Sequence, residues 1–162
     1  MEHEKMSRPL VLALSLIALS SISWTGLAAG PYAVYESESD FETVMDGAKA
    51  AIQERGMYIN NVMHMSEMLE RTGKDLGLGG AIYSHAESIE FCSALLSRKM
   101  TEEDPTRIVN CPFILSIYTL PDQEGKTYVV HRTISEEEIA GSEVMAEVAE
   151  MLKGVAEGAT DW

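Results

Sequence analysis

The chain has 162 residues and a formal net charge of -14, a size that allows one folded domain with a single core and leaves no room for a second. So acidic a balance opposes binding to a phosphate backbone, which argues against a nucleic-acid partner and for a soluble protein with cationic or neutral partners. The only cysteines are Cys92 and Cys111, and no CxxC or CxxCH occurs, so the common zinc, haem-attachment and thioredoxin-like patterns are absent.

Pro9 to Ile22 is an apolar run, preceded by Lys5 and Arg8 and followed by the small-residue stretch Thr25 to Gly30. This layout predicts a secretory signal peptide over residues 1–29. About 14 apolar residues are too few to cross a ~30 Å hydrocarbon core as a helix, so cleavage is expected rather than a stable membrane anchor. Gly26 with Ala28, or Leu27 with Ala29, supplies the small pair that signal peptidase reads. Removing the leader takes Lys5 and Arg8 together with Glu2 and Glu4, so the mature region, residues 30–162, keeps the acidic balance. The expected setting is periplasmic or secreted.

Tyr32 to Tyr35 reads as a first strand, and Ser39-Asp40-Phe41-Glu42 as a capping box for a helix. Phe41, Val44, Met45, Ala48, Ala51 and Ile52 recur at offsets of three and four, and Gly56 offers the left-handed residue that ends the helix. Met57 to Met63 alternates as a strand, with Met57, Ile59, Asn61 and Met63 on one side and Asn61 disturbing that face. Ser66 is placed to cap a short helix to about Lys74, and glycines 73, 77, 79 and 80 mark a loop before a strand at Ala81-Ile82-Tyr83. Ile89, Cys92, Leu95 and Leu96 predict a third helix from about Glu87 to Met100, with Cys92 on it.

The run Ile108 to Leu120 reads as a central strand, bent at Pro112 near its start, where Cys111 sits. Pro121 to Gly125 turns it into an antiparallel partner at Thr127 to Arg132. Ser135 with Glu138 suggests another capping box. A last amphipathic helix, about 136–157, buries Val144, Val148, Met151, Leu152 and Val155, after which Gly158 to Trp162 should fray. The order predicts an α+β fold: one compact domain with a mixed or antiparallel sheet of about five strands and about four helices.

Several local strings carry a family resemblance. They are Ser39-Asp40-Phe41 with the helix after it, Glu54-Arg55-Gly56-Met57, Ile82-Tyr83-Ser84-His85-Ala86 and Cys111-Pro112-Phe113. Over about Tyr35 to Thr133 the chain resembles the small α/β domains grouped as domain of unknown function 302. The resemblance implies a compact α+β unit able to pair as a homodimer, and it brings no established activity. In the commoner pattern of that family a Gly-Asn-Pro turn follows the third strand. Here Ser84-His85-Ala86 stands in its place, so no ligand role of that turn is carried over.

The sharpest chemical pattern is Met63, His64, Met65 and Met68, since thioether and imidazole ligands suit copper in an exported protein. Methionine is also an adaptable core filler, and these positions fall where a strand and a helix must pack. His64, His85 and His131 come from three element ends and are candidates for a shared ligand site. His85 is the foremost of them, at an expected strand-to-helix turn where helix N–H groups would meet an anion. Cys92 and Cys111, in an oxidising compartment, are expected to form one disulfide, and closing a loop of about 19 residues adds roughly 3 kcal/mol in the chain-entropy model. Glu136, Glu137 and Glu138 read as a solvated first helical turn rather than a calcium site.

No catalytic motif occurs: there is no G-x-S-x-G, H-E-x-x-H, phosphate loop or dinucleotide fingerprint, and no organic cofactor is expected. The pattern therefore favours an exported domain that binds a small ligand or a protein partner. A copper-binding accessory protein and a thiol-disulfide protein are the alternatives.

Overall fold

Residues 30–162 are described by a computed structural model, and the leader expected over residues 1–29 lies outside the described residues. The first strand, β1 (Tyr32–Ser37), leads into α1 (Phe41–Glu54). Asp40 rather than Ser39 caps this helix, its Oδ1 accepting the Thr43 N–H at 2.9 Å. At the other end Gly56 takes φ +68°. The Gly56 and Met57 N–H groups donate to the Gln53 and Ile52 carbonyls at 2.9 and 3.2 Å, a Schellman ending.

The second strand, β2 (Tyr58–His64), does not keep the expected alternation. A bulge between Ile59 and Asn61 inserts Asn60, so Ile59 and Val62 both pack on the core while Asn61 and Met63 face out. The next helix, α2 (Met65–Leu76), starts directly after His64, so Ser66 lies inside its first turn and does not cap it. It ends at Gly77 in the left-handed conformation.

The largest correction follows. Residues 81–83 are not a strand, and the helix expected from Glu87 to Met100 is divided between β3 (His85–Cys92) and α3 (Ala94–Glu103). Ile89 and Phe91 are buried at a spacing of two, and Ser93 caps α3 by accepting the Leu96 N–H. Cys92 thus closes a strand. The apolar run after it is likewise divided, into a 3-10 turn (Pro105–Asn110) and β4 (Phe113–Thr119). The hairpin partner, β5 (Thr127–Arg132), falls where the alternation put it. Ser135 and Glu138 do form the capping box, but for a short α4 (Glu136–Gly141), and Ser142 then caps a separate α5 (Glu143–Thr160).

The five strands form one antiparallel sheet in the order β1-β5-β4-β3-β2. This bears out the α+β expectation. Packed together, α1 and α5 lie on one face of the sheet, where Val44, Ile52, Met145, Val148 and Val155 meet Ile89, Phe91, Leu115, Ile117 and Val129. Neither α1 nor α5 covers the opposite face, and α2 packs against β3. The opposite face presents Val34, Ile114, Ser116, Tyr118, Tyr128 and Val130 by simple alternation. No helix among the described residues is long and apolar enough to cross a membrane.

Candidate functional site

The sheet splits at one end. Pairing of β4 with β5 reaches only Leu115 and His131, although β5 stays paired with β1 to Arg132 and β4 stays paired with β3 to Phe113. Phe113 and Ile114 therefore part from Arg132 and Thr133, and a cleft of about 470 Å³ opens there. Its apolar walls are Tyr32, Val109, Ile114 and Val130, and Phe113, Ile134 and Leu152 line it from the core side. Val109 is placed by the 3-10 turn, whose start is fixed by the Asp104 carboxylate accepting from Thr106 N–H at 2.9 Å. It is 83% exposed, more than any other large apolar residue described.

Two titratable groups in the cleft are already engaged. His131 is buried, and its Nδ1 lies 2.8 Å from the Arg132 carbonyl oxygen, which only accepts, so Nδ1 carries the proton. Nε2 is then the acceptor, and the Tyr35 hydroxyl donates to it at 3.4 Å while the two rings stack. Burial pushes the His131 pKa down, against the opposing pull of the Arg132 carbonyl, and so favours the neutral ring. Glu138 is occupied by the Ser135 capping box. Arg132 is exposed and forms no ion pair among the described residues.

A second cleft, about 740 Å³, lies at the other end of the sheet between the start of α1 and the β4–β5 hairpin, and it contains His85. This histidine is the first residue of β3, not part of a strand-to-helix turn, and its ring stacks on Phe41 at 5.1 Å. Asp40, Glu42 and Glu124 line the same space, and Asp40 takes both the N–H and the hydroxyl of Thr43. Those hydrogen bonds hold the Asp40 carboxyl below its ordinary range. A fixed carboxylate thus already answers the positive end of α1.

The remaining candidates occupy separate elements. His64 pairs with Glu87 at 2.9 Å. Met63, its neighbour in β2, projects to the opposite side of the sheet, and Met65 and Met68 belong to the first turn of α2. Among the described residues no group of three or more His, Cys, Asp or Glu is arranged to hold a metal ion. The three histidines sit on different strands with separate partners. Cys92 and Cys111 are free thiols at the end of the β3–β4 pair. Arg132 and Val109 had no signal in the sequence, because neither the parting of two strands nor a 3-10 turn leaves a periodic pattern.

An antiparallel sheet with α1 and α5 packed on one face and a cleft at its split end defines a small α+β domain. The chain belongs to the family described as domain of unknown function DUF302, whose model matches residues 33–159. The match takes in α5, beyond the stretch that carries the resemblance in the sequence. Among solved structures the chain is similar to an uncharacterized conserved protein DUF302 from Bacillus stearothermophilus. The two share 13% identity and a TM-score of 0.66, over 81% of this chain and 99% of that one. At that identity the likeness is one of fold. None of the curated proteins matches the chain.

Proposed function

We propose that this domain binds a small amphipathic acid in the cleft between β4 and β5. The observation that carries the reading is an apolar space of about 470 Å³ with an unpaired guanidinium, that of Arg132, beside it. Sites for small molecules have this size and this make-up, mostly apolar walls with a few polar groups that orient the ligand. An apolar tail would lie against Val109, Ile114 and Val130, and a carboxylate would take the guanidinium, whose fork matches it in two parallel hydrogen bonds. Binding fits better than acid-base chemistry, because His131 and Glu138 already have their partners. The leader-like run Pro9 to Ile22 supports a site of action outside the cytoplasm.

Calorimetric titration with octanoate tests the reading. Saturable binding is expected, weakened about tenfold to a hundredfold by Arg132→Gln, which removes a charge-assisted bond of about 1.5–3 kcal/mol. Ile114→Trp should abolish it by filling the cleft, with the circular dichroism melt showing that the variant folds. Absence of binding to the wild-type chain, or binding indifferent to both substitutions, contradicts the proposal. So does a sedimentation result in which Ile114→Trp only disperses a dimer, for the surface then belongs to a second copy of the chain.

A further inference from the structure

The two cysteines, far apart in sequence, end up side by side. The β3–β4 ladder closes on the pair Phe91 and Phe113, so Cys92 and Cys111 lie just past its last rung. Their thiols are close enough to hydrogen-bond one another, which puts the two sulfurs within reach of a disulfide. The thiols sense one another. Burial pushes the Cys111 thiol pKa up, the Ser97 hydroxyl opposes this, and the Cys92 thiol adds to the rise through its hydrogen bond and its charge.

Each sulfur has its own polar partner, and the two settings differ. The Asn60 side-chain amide donates to Cys92 Sγ at 3.3 Å on the exposed surface. Cys111 Sγ is paired with the Ser97 hydroxyl at 2.8 Å in a part-buried position. Asn60 is the extra residue of the β2 bulge, so the irregularity in the edge strand is what turns this amide toward the sulfur.

We infer that Cys92 and Cys111 form a reversible dithiol–disulfide pair that exchanges with an external organic disulfide, Cys92 attacking first. The Cys92 thiolate attacks one sulfur of the external disulfide. A mixed disulfide forms on Cys92, and the first external thiolate leaves and takes up the proton that Cys92 gave up. Cys111 then loses its proton and attacks Cys92 Sγ, closing the intramolecular bond and releasing the second external thiolate, which is protonated in turn. Two protein thiols are oxidised to one disulfide, and one external disulfide is reduced to two thiols. The donated Asn60 N–H faces the sulfur on which charge moves in both steps. Burial and the neighbouring Cys92 thiol keep Cys111 protonated until the mixed disulfide has formed beside it, and the Ser97 hydroxyl then stabilises the thiolate that attacks.

The test exposes the reduced full-length chain to oxidised glutathione, with acid quenching and intact-mass analysis. The wild-type chain should lose the mass of two hydrogens and regain it with reduced glutathione while still folded. Cys111→Ser should accumulate one glutathione adduct. Cys92→Ser should react at least about tenfold more slowly, since access governs the rate of thiol attack. Asn60→Ala should slow adduct formation in the Cys111→Ser background and leave Cys92→Ser unaffected. Should a cysteine variant fail to fold, peptide mapping of the first adduct on the wild-type chain reads the same order, with the label expected on Cys92. Two stable adducts without an intramolecular bond, equal rates for the two single variants, a first adduct on Cys111, or a bond that yields only after unfolding would overturn the proposal.

Discussion

Gly47 marks the closest approach of α1 to the end of α5: a Cβ there would meet Trp162 Cγ at 2.8 Å and the Ala159 carbonyl oxygen at 3.0 Å. Backbone does not yield as a side-chain tip does, so Gly47→Val should destabilise the fold by about 1–3 kcal/mol despite its better helix propensity, read from urea unfolding. Ser142 does several tasks at once. Its hydroxyl caps α5 by accepting the Met145 N–H at 3.3 Å, donates to Glu103 at 2.6 Å, and lies 3.2 Å from the Arg107 guanidinium. Ser142→Ala removes the cap and leaves two charged groups short of a partner, so a loss of about 1–2 kcal/mol is expected in the same assay. His131 sets a pH dependence. Its folded pKa lies below the ordinary 6.5, so the unfolded chain takes up the proton first as pH falls, and stability is lost from about that pH downward. Tyr35 faces the ring, and the Glu150 and Glu157 charges act on Tyr35 from α5. His131→Gln should flatten the stability profile between neutral pH and pH 5; an unchanged slope would show that the loss belongs to other groups.

At the scale of elements, α1, β5 and the Ser135 capping box were legible because their signals are local: a 3.6-residue period, a two-residue alternation, a hydroxyl and a carboxylate three apart. The β3–α3 region was not. Ile89, Cys92, Leu95 and Leu96 happen to be spaced as a helix face, while in the fold Ile89 and Phe91 belong to a strand and Leu95 is 65% exposed. The decisive mark was Ser93, a capping residue in the middle of the apparent period. Asn61 seemed to spoil a strand face only because alternation was carried through a bulge. The chain end departs from the pattern for a different reason. Gly158 reads as the start of a frayed end, yet a Cβ at that position would come within 3.0 Å of the Ala51 Cβ, so the glycine lets α5 pass close to α1. The tail is also pinned: the Ser39 hydroxyl donates to the Trp162 carbonyl at 3.2 Å, and Ala159 is fully buried. Amide hydrogen exchange should therefore find Gly158 to Thr160 about as protected as the middle of α5; free exchange there would show fraying.

For the whole molecule the governing fact is asymmetry. One face of the sheet is covered by α1 and α5, and the other carries Tyr83, Tyr118 and Tyr128 in ring contact at one end and the β4–β5 cleft at the other. The class of fold followed from element order, whereas the site did not, because a cleft is made by strands that stop pairing and leaves no local signature. Export makes a separate prediction. Chain isolated from its native compartment should lack residues 1 to about 28 by intact mass, because a leader of this layout is removed on translocation; a retained leader would refute it. The measurement that bears most directly on the central claim is an amide chemical-shift map of the isotope-labelled protein titrated with octanoate. The shifts are expected to gather at Tyr32, Asn110, Ile114, Val130 and Arg132, which line the split end of the sheet. Shifts gathered instead around His85 and Asp40, or no saturable shift at all, would contradict it.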